Sequence, residues 1–136
     1  MTTAPPDVGQ TRFASAMVGL ISVPVLTVAV YALNLLLPPS ISWAPSLILG
    51  VGSPVTWLTV AIWGARNPLP IYATIVLHVC YYSVLGGAIG YLFWKRYGPT
   101  ASEILVHGVR LTLLSWACAL ALAFPMLGLM ALSGVH

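Results

Sequence analysis

Residues 70–95 read PIYATIVLHVCYYSVLGGAIGYLFWK, a stretch with no charged side chain before Lys95. About 20 apolar residues in an α-helix are enough to cross the hydrocarbon core of a bilayer. Trp94 and Lys95 close the stretch, and aromatic and basic residues are typical of the membrane–water interface. The stretch therefore predicts a transmembrane helix.

The composition of the whole chain fits the same environment. Of the 136 residues, 60% are apolar and 5% are charged, whereas soluble domains average about 45–50% and about 25%. So few charges cannot solvate a globule of this size. The 5 basic residues are scattered along the chain, so no basic stripe is present to neutralise a row of phosphates, and nucleic-acid binding is not expected.

Prolines, glycines and charged residues divide the chain into four apolar runs after a polar stretch at 1–12. We predict a flexible N-terminal tail over 1–12 and a single transmembrane domain over 13–136. The predicted fold is an all-α bundle of four transmembrane helices, at about 13–36, 46–65, 70–95 and 102–132. Thr100 or Ser102 is expected to cap the last helix, and Pro125 to kink it.

The second run is the exception among the four. Gly50, Gly52 and Pro54 interrupt its first half, and such residues favour a bend or local unwinding in a membrane helix. The alternative fold therefore has three spans and a re-entrant second segment.

The basic residues bear on this choice, because they gather on the cytoplasmic side of membrane proteins. With four spans, Arg12 and Arg66 lie opposite the other three, which is close to a balance. With three spans, Arg66 stands alone on its side. The four residues opposite it are then Arg12, Lys95, Arg96 and Arg110.

Small residues at four-residue spacing are the clearest packing signal. The three pairs are Ser15/Gly19, Gly86/Gly90 with Gly87 beside them, and Ala119/Ala123. Each pair lies on one helical face, and small side chains let two backbones approach closely in lipid. These faces pack either within a single bundle or, at Gly86/Gly90, between copies in an oligomer.

Glu103, His107 and Arg110 fall within about 60° of one another on a helix. One hypothesis is a polar entrance that handles protons or anions, because an ionisable group in the membrane is costly unless it is paired. The alternative is that Glu103 complements the helix N-terminus, His107 lies at the interface and Arg110 reaches back to the headgroups.

A second polar group lies on the third helix, where Thr74, His78 and Tyr82 share a face with Tyr81 nearby. These side chains either line a small polar cavity or form hydrogen bonds between helices. Haem ligation by His78 and His107 is not expected, because their predicted depths differ by about 20 Å. We therefore predict no cofactor and no metal.

No enzymatic site is predicted. Asp7 and Glu103 are the two acids of the chain, and a paired-carboxylate site cannot be built from one acid in the tail and one at a helix end. Nucleotide, zinc and dithiol motifs are absent from the sequence. The expected function is that of a non-enzymatic accessory or assembly subunit, with a small oligomeric transporter or channel as the alternative.

The expected partners are the lipid bilayer and other membrane subunits or further copies of the chain. Residues 81–95, YYSVLGGAIGYLFWK, resemble a helix pattern common in small prokaryotic membrane proteins. This resemblance implies a prokaryotic inner or cytoplasmic membrane and no particular activity.

Overall fold

The computed structural model describes residues 8–34, 36–38, 40, 52–63, 69–94 and 100–132. Throughout these ranges the regular structure is α-helical, with no strand. Four helices follow one another along the chain: α1 (Val8–Asn34), α2 (Pro54–Trp63), α3 (Ile71–Leu92) and α4 (Ala101–Leu132).

Three of these helices are long and apolar enough to cross a membrane, with spans at Thr11–Asn34, Tyr72–Leu92 and Ala101–Met126. The 21-residue span of α3 is about 31 Å long at the rise of an α-helix, close to a hydrocarbon core of about 30 Å. The 26-residue span of α4 is about 39 Å long. By contrast, α2 has 10 residues and is about 15 Å long, half the thickness of the core.

The boundary of α1 corrects part of the tail prediction. The helix begins at Val8 rather than at Phe13, so residues 8–12 are helical, while 1–7 lie outside the described residues. A physical reason is the position of Arg12, whose guanidinium carbon lies 5.8 Å from the ring centre of Tyr91 and 5.6 Å from that of Trp94. Cation–π contacts of this kind attach the start of α1 to the end of α3.

The other boundaries differ by a few residues from the predicted ones. The first helix ends at Asn34, and the third ends at Leu92 with the Phe93 amide bonded to Ile89. Of the predicted helix 46–65, residues 54–63 are helical and 52–53 are not, while 46–51 and 64–65 lie outside the described residues. The last helix begins at Ala101 and continues through Pro125.

Helices α1 and α3 run in opposite directions. Arg12 near the start of α1 meets Trp94 just after the end of α3, and a Cβ placed on Gly19 would meet Gly86. In four consecutive crossings the first and third helices run in the same direction. The observed direction leaves four crossings unconfirmed.

Helices α1 and α4 run in the same direction. Ser15 is hydrogen-bonded to His107, and Thr27 is hydrogen-bonded to Trp116, so residue numbers rise together along the two helices. The starts of α1 and α4 and the end of α3 consequently lie at one end of the bundle. Val23, Tyr82 and Leu111, one from each of these helices, are almost fully buried and form the centre of the core.

Candidate functional site

A glycine seam joins α1 to α3 at their closest approach. A Cβ built on Gly86 would overlap the carbonyl oxygen of Gly19 and lie 2.7 Å from the Cβ of Val23. A Cβ on Gly90 would lie 2.9 Å from the carbonyl carbon of Ser15. Backbone meets backbone here, which is how small residues drive helix association where the solvent itself is apolar.

The seam places the residues predicted for packing on the inside of a single chain. Ser15, Gly19, Gly86 and Gly90 are buried in it, and α1 covers the face that was considered for an oligomer. Gly87 lies beside the seam, where a Cβ would meet Leu20 at an ordinary 3.6 Å. The two alanines of the third pair, Ala119 and Ala123, are buried in α4.

Ser15, Gly90 and His107 form a buried junction of three helices. The Ser15 hydroxyl donates to the carbonyl oxygen of Gly90 at 2.6 Å, and its Oγ lies 2.8 Å from Nε2 of His107. A hydroxyl has one hydrogen, which Gly90 receives, so His107 carries a proton on Nε2 and donates it to Ser15. This chain of hydrogen bonds runs from α4 through α1 to α3, and its serine is fully buried while His107 is 4% exposed.

A second polar tie joins α4 to α1 further along both helices. The indole Nε1–H of Trp116 donates to Oγ1 of Thr27 at 2.9 Å. The Thr27 hydroxyl in turn donates to the carbonyl of Val23 at 2.6 Å, one turn earlier in its own helix. A buried indole N–H needs an acceptor, and the threonine supplies it from the facing helix.

The surroundings of Glu103 and Arg110 differ from those of His107. The Thr100 amide donates to Oε2 of Glu103 at 3.4 Å, and the Glu103 amide donates to Oγ1 of Thr100 at 3.4 Å, while the Thr100 hydroxyl also donates to Oε2. This reciprocal arrangement caps the N-terminus of α4, with Thr100 as one of the two predicted caps. Arg110 is exposed in a groove on the outer face of α4. Glu103 and Arg110 are thus exposed, whereas His107 is buried.

His78 connects α3 to α2. Its Nδ1–H donates to the carbonyl of Thr74 at 2.7 Å, so in the neutral ring Nε2 is the acceptor. The Thr56 hydroxyl of α2 lies 3.3 Å from this nitrogen and donates to it. Tyr81 and Tyr82 pack edge to face with ring centres 5.1 Å apart, and Tyr82 belongs to the buried core.

The two histidines are held by different helix pairs at different depths. His107 meets Ser15 at the level of Gly90, and His78 precedes Gly90 by twelve residues on α3, which is about 18 Å along the helix. Within the described ranges no group of three His, Cys, Asp or Glu side chains is placed to hold a metal ion. Each imidazole instead has a hydroxyl partner on a neighbouring helix.

Sequence reasoning missed three small or polar residues that are buried on one face of α4. It also missed the hydrogen bond between Trp116 and Thr27. Gly108, Thr112 and Ser115 are buried on the face that Ala119 and Ala123 continue. Their spacing of three or four residues was available as a signal, because these intervals return to one face of a helix. A Cβ on Gly108 would lie 3.0 Å from the Cβ of Ser22, so this glycine also marks a close approach of two helices.

The described helices define a small all-helical bundle with three helices long and apolar enough to cross a membrane. Comparison of the chain with models of known protein families, with curated proteins and with solved structures finds no match. The function is therefore inferred from the contacts of the chain's own side chains.

Proposed function

We propose that this chain is a non-enzymatic integral membrane protein that serves as an accessory or assembly subunit, in a prokaryotic inner membrane. The observation that carries the proposal is the junction of Ser15, Gly90 and His107. There, buried polar groups of three helices form hydrogen bonds with one another, which uses groups that a substrate would otherwise contact. Such ties fix the relative positions of helices, which is what a rigid packing subunit requires.

The faces that remain for a partner are apolar and lie on the outside of the bundle. On α4, Leu105, Leu122 and Phe124 are each at least 60% exposed. The glycine seam is occupied by α1 of the same chain, so a partner helix would bind these outer faces instead. Lipid covers them in the absence of a partner.

The subunit proposal is tested by isolating the chain from its own membranes in a mild detergent. A subunit is expected to migrate with a partner of constant stoichiometry, far above its own 14.4 kDa, and His78→Ala should leave that assembly intact because His78 contacts α2 and α3 of its own chain. Migration as a monomer under the mildest conditions would contradict the proposal.

We propose three membrane crossings, with α2 as part of a re-entrant segment. The directions of α1, α3 and α4 support this order, because the connection from each long helix to the next then begins and ends on the same side of the membrane. By sequence order, this topology also brings Arg12, Arg110 and the Lys95–Arg96 pair nearest to one membrane surface, with Arg66 nearest to the other. The positive-inside rule then puts the N-terminus in the cytoplasm.

Cysteine accessibility distinguishes this order from the four-span prediction. Single cysteines at Thr3, Ser40, Asn67, Thr100 and Val135 would be introduced after Cys80 and Cys118 are replaced by alanine. Three crossings put positions 3 and 100 on one side and 40, 67 and 135 on the other. Four crossings put 3, 67 and 135 together, opposite 40 and 100, so labelling of 3 and 100 from opposite sides would contradict the proposal.

A small oligomeric transporter or channel, with a polar path near His78 and the Glu103/His107/Arg110 segment, is the second candidate. It is favoured by the hydroxyls of Ser53 and Ser115, which are fully buried and have no hydrogen-bond partner among the described residues. An unsatisfied buried polar group is costly and calls for a reason. Vesicles containing the purified chain should then conduct protons or ions, and His78→Ala should abolish the flux while Trp63→Phe preserves it. Flux equal to that of protein-free vesicles would exclude this candidate.

A further inference from the structure

A groove of about 510 Å³ runs along the outer face of α4 beside the end of α3. Its walls are the apolar side chains of Phe93, Val106, Val109, Leu113 and Leu114, together with Arg110. Phe93 follows the last residue of α3, and Leu113 lies almost two turns beyond Val106 on α4. The groove therefore extends along α4 from one end of the bundle toward the middle of the bundle.

Arg110 places a positive charge within these apolar walls. It lies nine residues after Ala101, about 13 Å along the helix axis. Helical side chains tilt toward the N-terminus, so the guanidinium points back toward the end of α4 that Thr100 and Glu103 cap. An arginine at such a depth is costly in a membrane unless an anion pairs with it.

The acidic side chain nearest in sequence does not supply this anion. The carboxylate of Glu103 bonds to the hydroxyl of Thr100 and completes the cap of α4. The other described arginine, Arg12, stacks on Tyr91 and Trp94, so its charge has aromatic partners. Arg110 is exposed in the groove, and the other side chains that line this groove are apolar.

We propose that the groove binds one anionic phospholipid, with its phosphate on Arg110 and an acyl chain along the apolar walls. The charge of Arg110 is complementary to the phosphate, and the five apolar side chains are complementary to the chain. An anionic headgroup is favoured over a zwitterionic one, because the latter brings its own cation to compete for the phosphate. The inference rests on the proposed membrane embedding and is independent of the subunit role.

Native mass spectrometry of the full chain in detergent tests the site with dioleoylphosphatidylglycerol as probe and dioleoylphosphatidylcholine as comparison. The wild type is expected to retain one phosphatidylglycerol. Arg110→Gln should weaken its binding roughly fivefold, the effect of one basic residue near an anionic lipid surface. Arg12→Gln removes the same charge outside the groove and should leave the binding unchanged.

A second variant, Leu113→Trp, fills the groove while keeping every charge. Leu113 is 57% exposed, so the larger side chain is accommodated without entering the core, and lipid retention should fall. The proposed lipid site would be contradicted by any one of three outcomes. These are equal retention of the two lipids, unchanged lipid binding in Arg110→Gln, and unchanged lipid binding in Leu113→Trp. If the wild type is a dimer and Leu113→Trp dissociates it without loss of lipid, the groove binds a second copy of the chain, and the lipid proposal is wrong.

The membrane embedding has its own separate readout. A chain that stays monodisperse in buffer without detergent would refute the embedding, whereas the mass spectrometry outcomes concern the groove alone.

Discussion

The α1–α3 seam and the attachment of α2 are built in opposite ways. In the seam, glycines bring two backbones into contact over Gly19, Gly86 and Gly90. At α2, the hydroxyl of Thr56 reaches His78 across 3.3 Å, and this side-chain hydrogen bond links the short helix to α3. Both regions are strongly apolar in composition.

Apolarity therefore does not decide which helices pack tightly in this chain. Lipid offers an apolar side chain the same surroundings as a neighbouring helix does, so burial alone gives little reason to associate. Close backbone approach and satisfied buried polar groups supply the preference instead. We therefore expect the seam to control global stability and the α2 contact to control local order.

The largest effect is expected from Gly86→Ala. The new Cβ would overlap the Gly19 carbonyl and lie 2.7 Å from Val23, so the two helices must separate. Overpacking of this kind costs about 3 kcal/mol in the free energy of unfolding, measured by denaturant titration in mixed micelles. Gly87→Ala is the matched control, because its Cβ has 3.6 Å of space; equal losses in the two variants would contradict a backbone seam.

Ser15→Ala should come next, with a loss of about 2 kcal/mol. It deprives two buried groups, the Gly90 carbonyl and the Nε2–H of His107, of their partner. The exposed Ser102→Ala serves as control and should have no measurable effect. In a double-mutant cycle with His107→Leu, the combined loss should be smaller than the sum of the single losses; strict additivity would show that the two side chains are not coupled.

Trp116→Phe should cost about 1 kcal/mol. It removes the indole donor to Thr27, while the Thr27 hydroxyl keeps its acceptor at Val23. Trp63→Phe makes the same exchange at a side chain that is 43% exposed and should be close to neutral. A larger loss for Trp63 than for Trp116 would mean that the second tie does not stabilise the bundle.

The smallest global effect is expected from Thr56→Val, which keeps the shape of the side chain and removes the donor to His78. The free energy of unfolding should change by less than about 0.5 kcal/mol, whereas amide hydrogens of α2 should exchange faster than in the wild type. Leu58→Ala, at an exposed position of the same helix, should leave exchange unchanged. A global loss as large as that of Gly86→Ala would make α2 part of the cooperative core.

The sequence predicts apolar helices because helix patterns are local, and three of those helices are long enough in the structure to cross a membrane. Residues at four-residue intervals return to the same helical face, and the structure buries Gly19, Gly86 and Ala119 on such faces. The direction of packing is a different matter. Small faces pack equally well whether two helices run parallel or antiparallel, so the pattern does not decide between three and four crossings.

The polar segment of α4 shows a second limit. Helical angles place Glu103, His107 and Arg110 close together, yet about 60° of rotation separates His107 from Arg110. That angle is enough for one to face α1 in the core while the other faces the groove. The spacing of three residues between Thr100 and Glu103 is enough to predict that this pair caps the N-terminus of α4. The burial of His107 instead depends on which helix lies opposite.

In the proposed membrane embedding, the unequal span lengths of α3 and α4 have a consequence for the surrounding lipid. The α4 span has 26 residues against 21 for α3, a difference of about 7.5 Å along the axis. Hydrophobic mismatch of this size is absorbed by tilt or by local thickening, each at a fraction of a kcal/mol per Å. The two helices consequently prefer bilayers of different thickness, and acyl-chain length becomes a variable that shifts the tilt of the whole molecule.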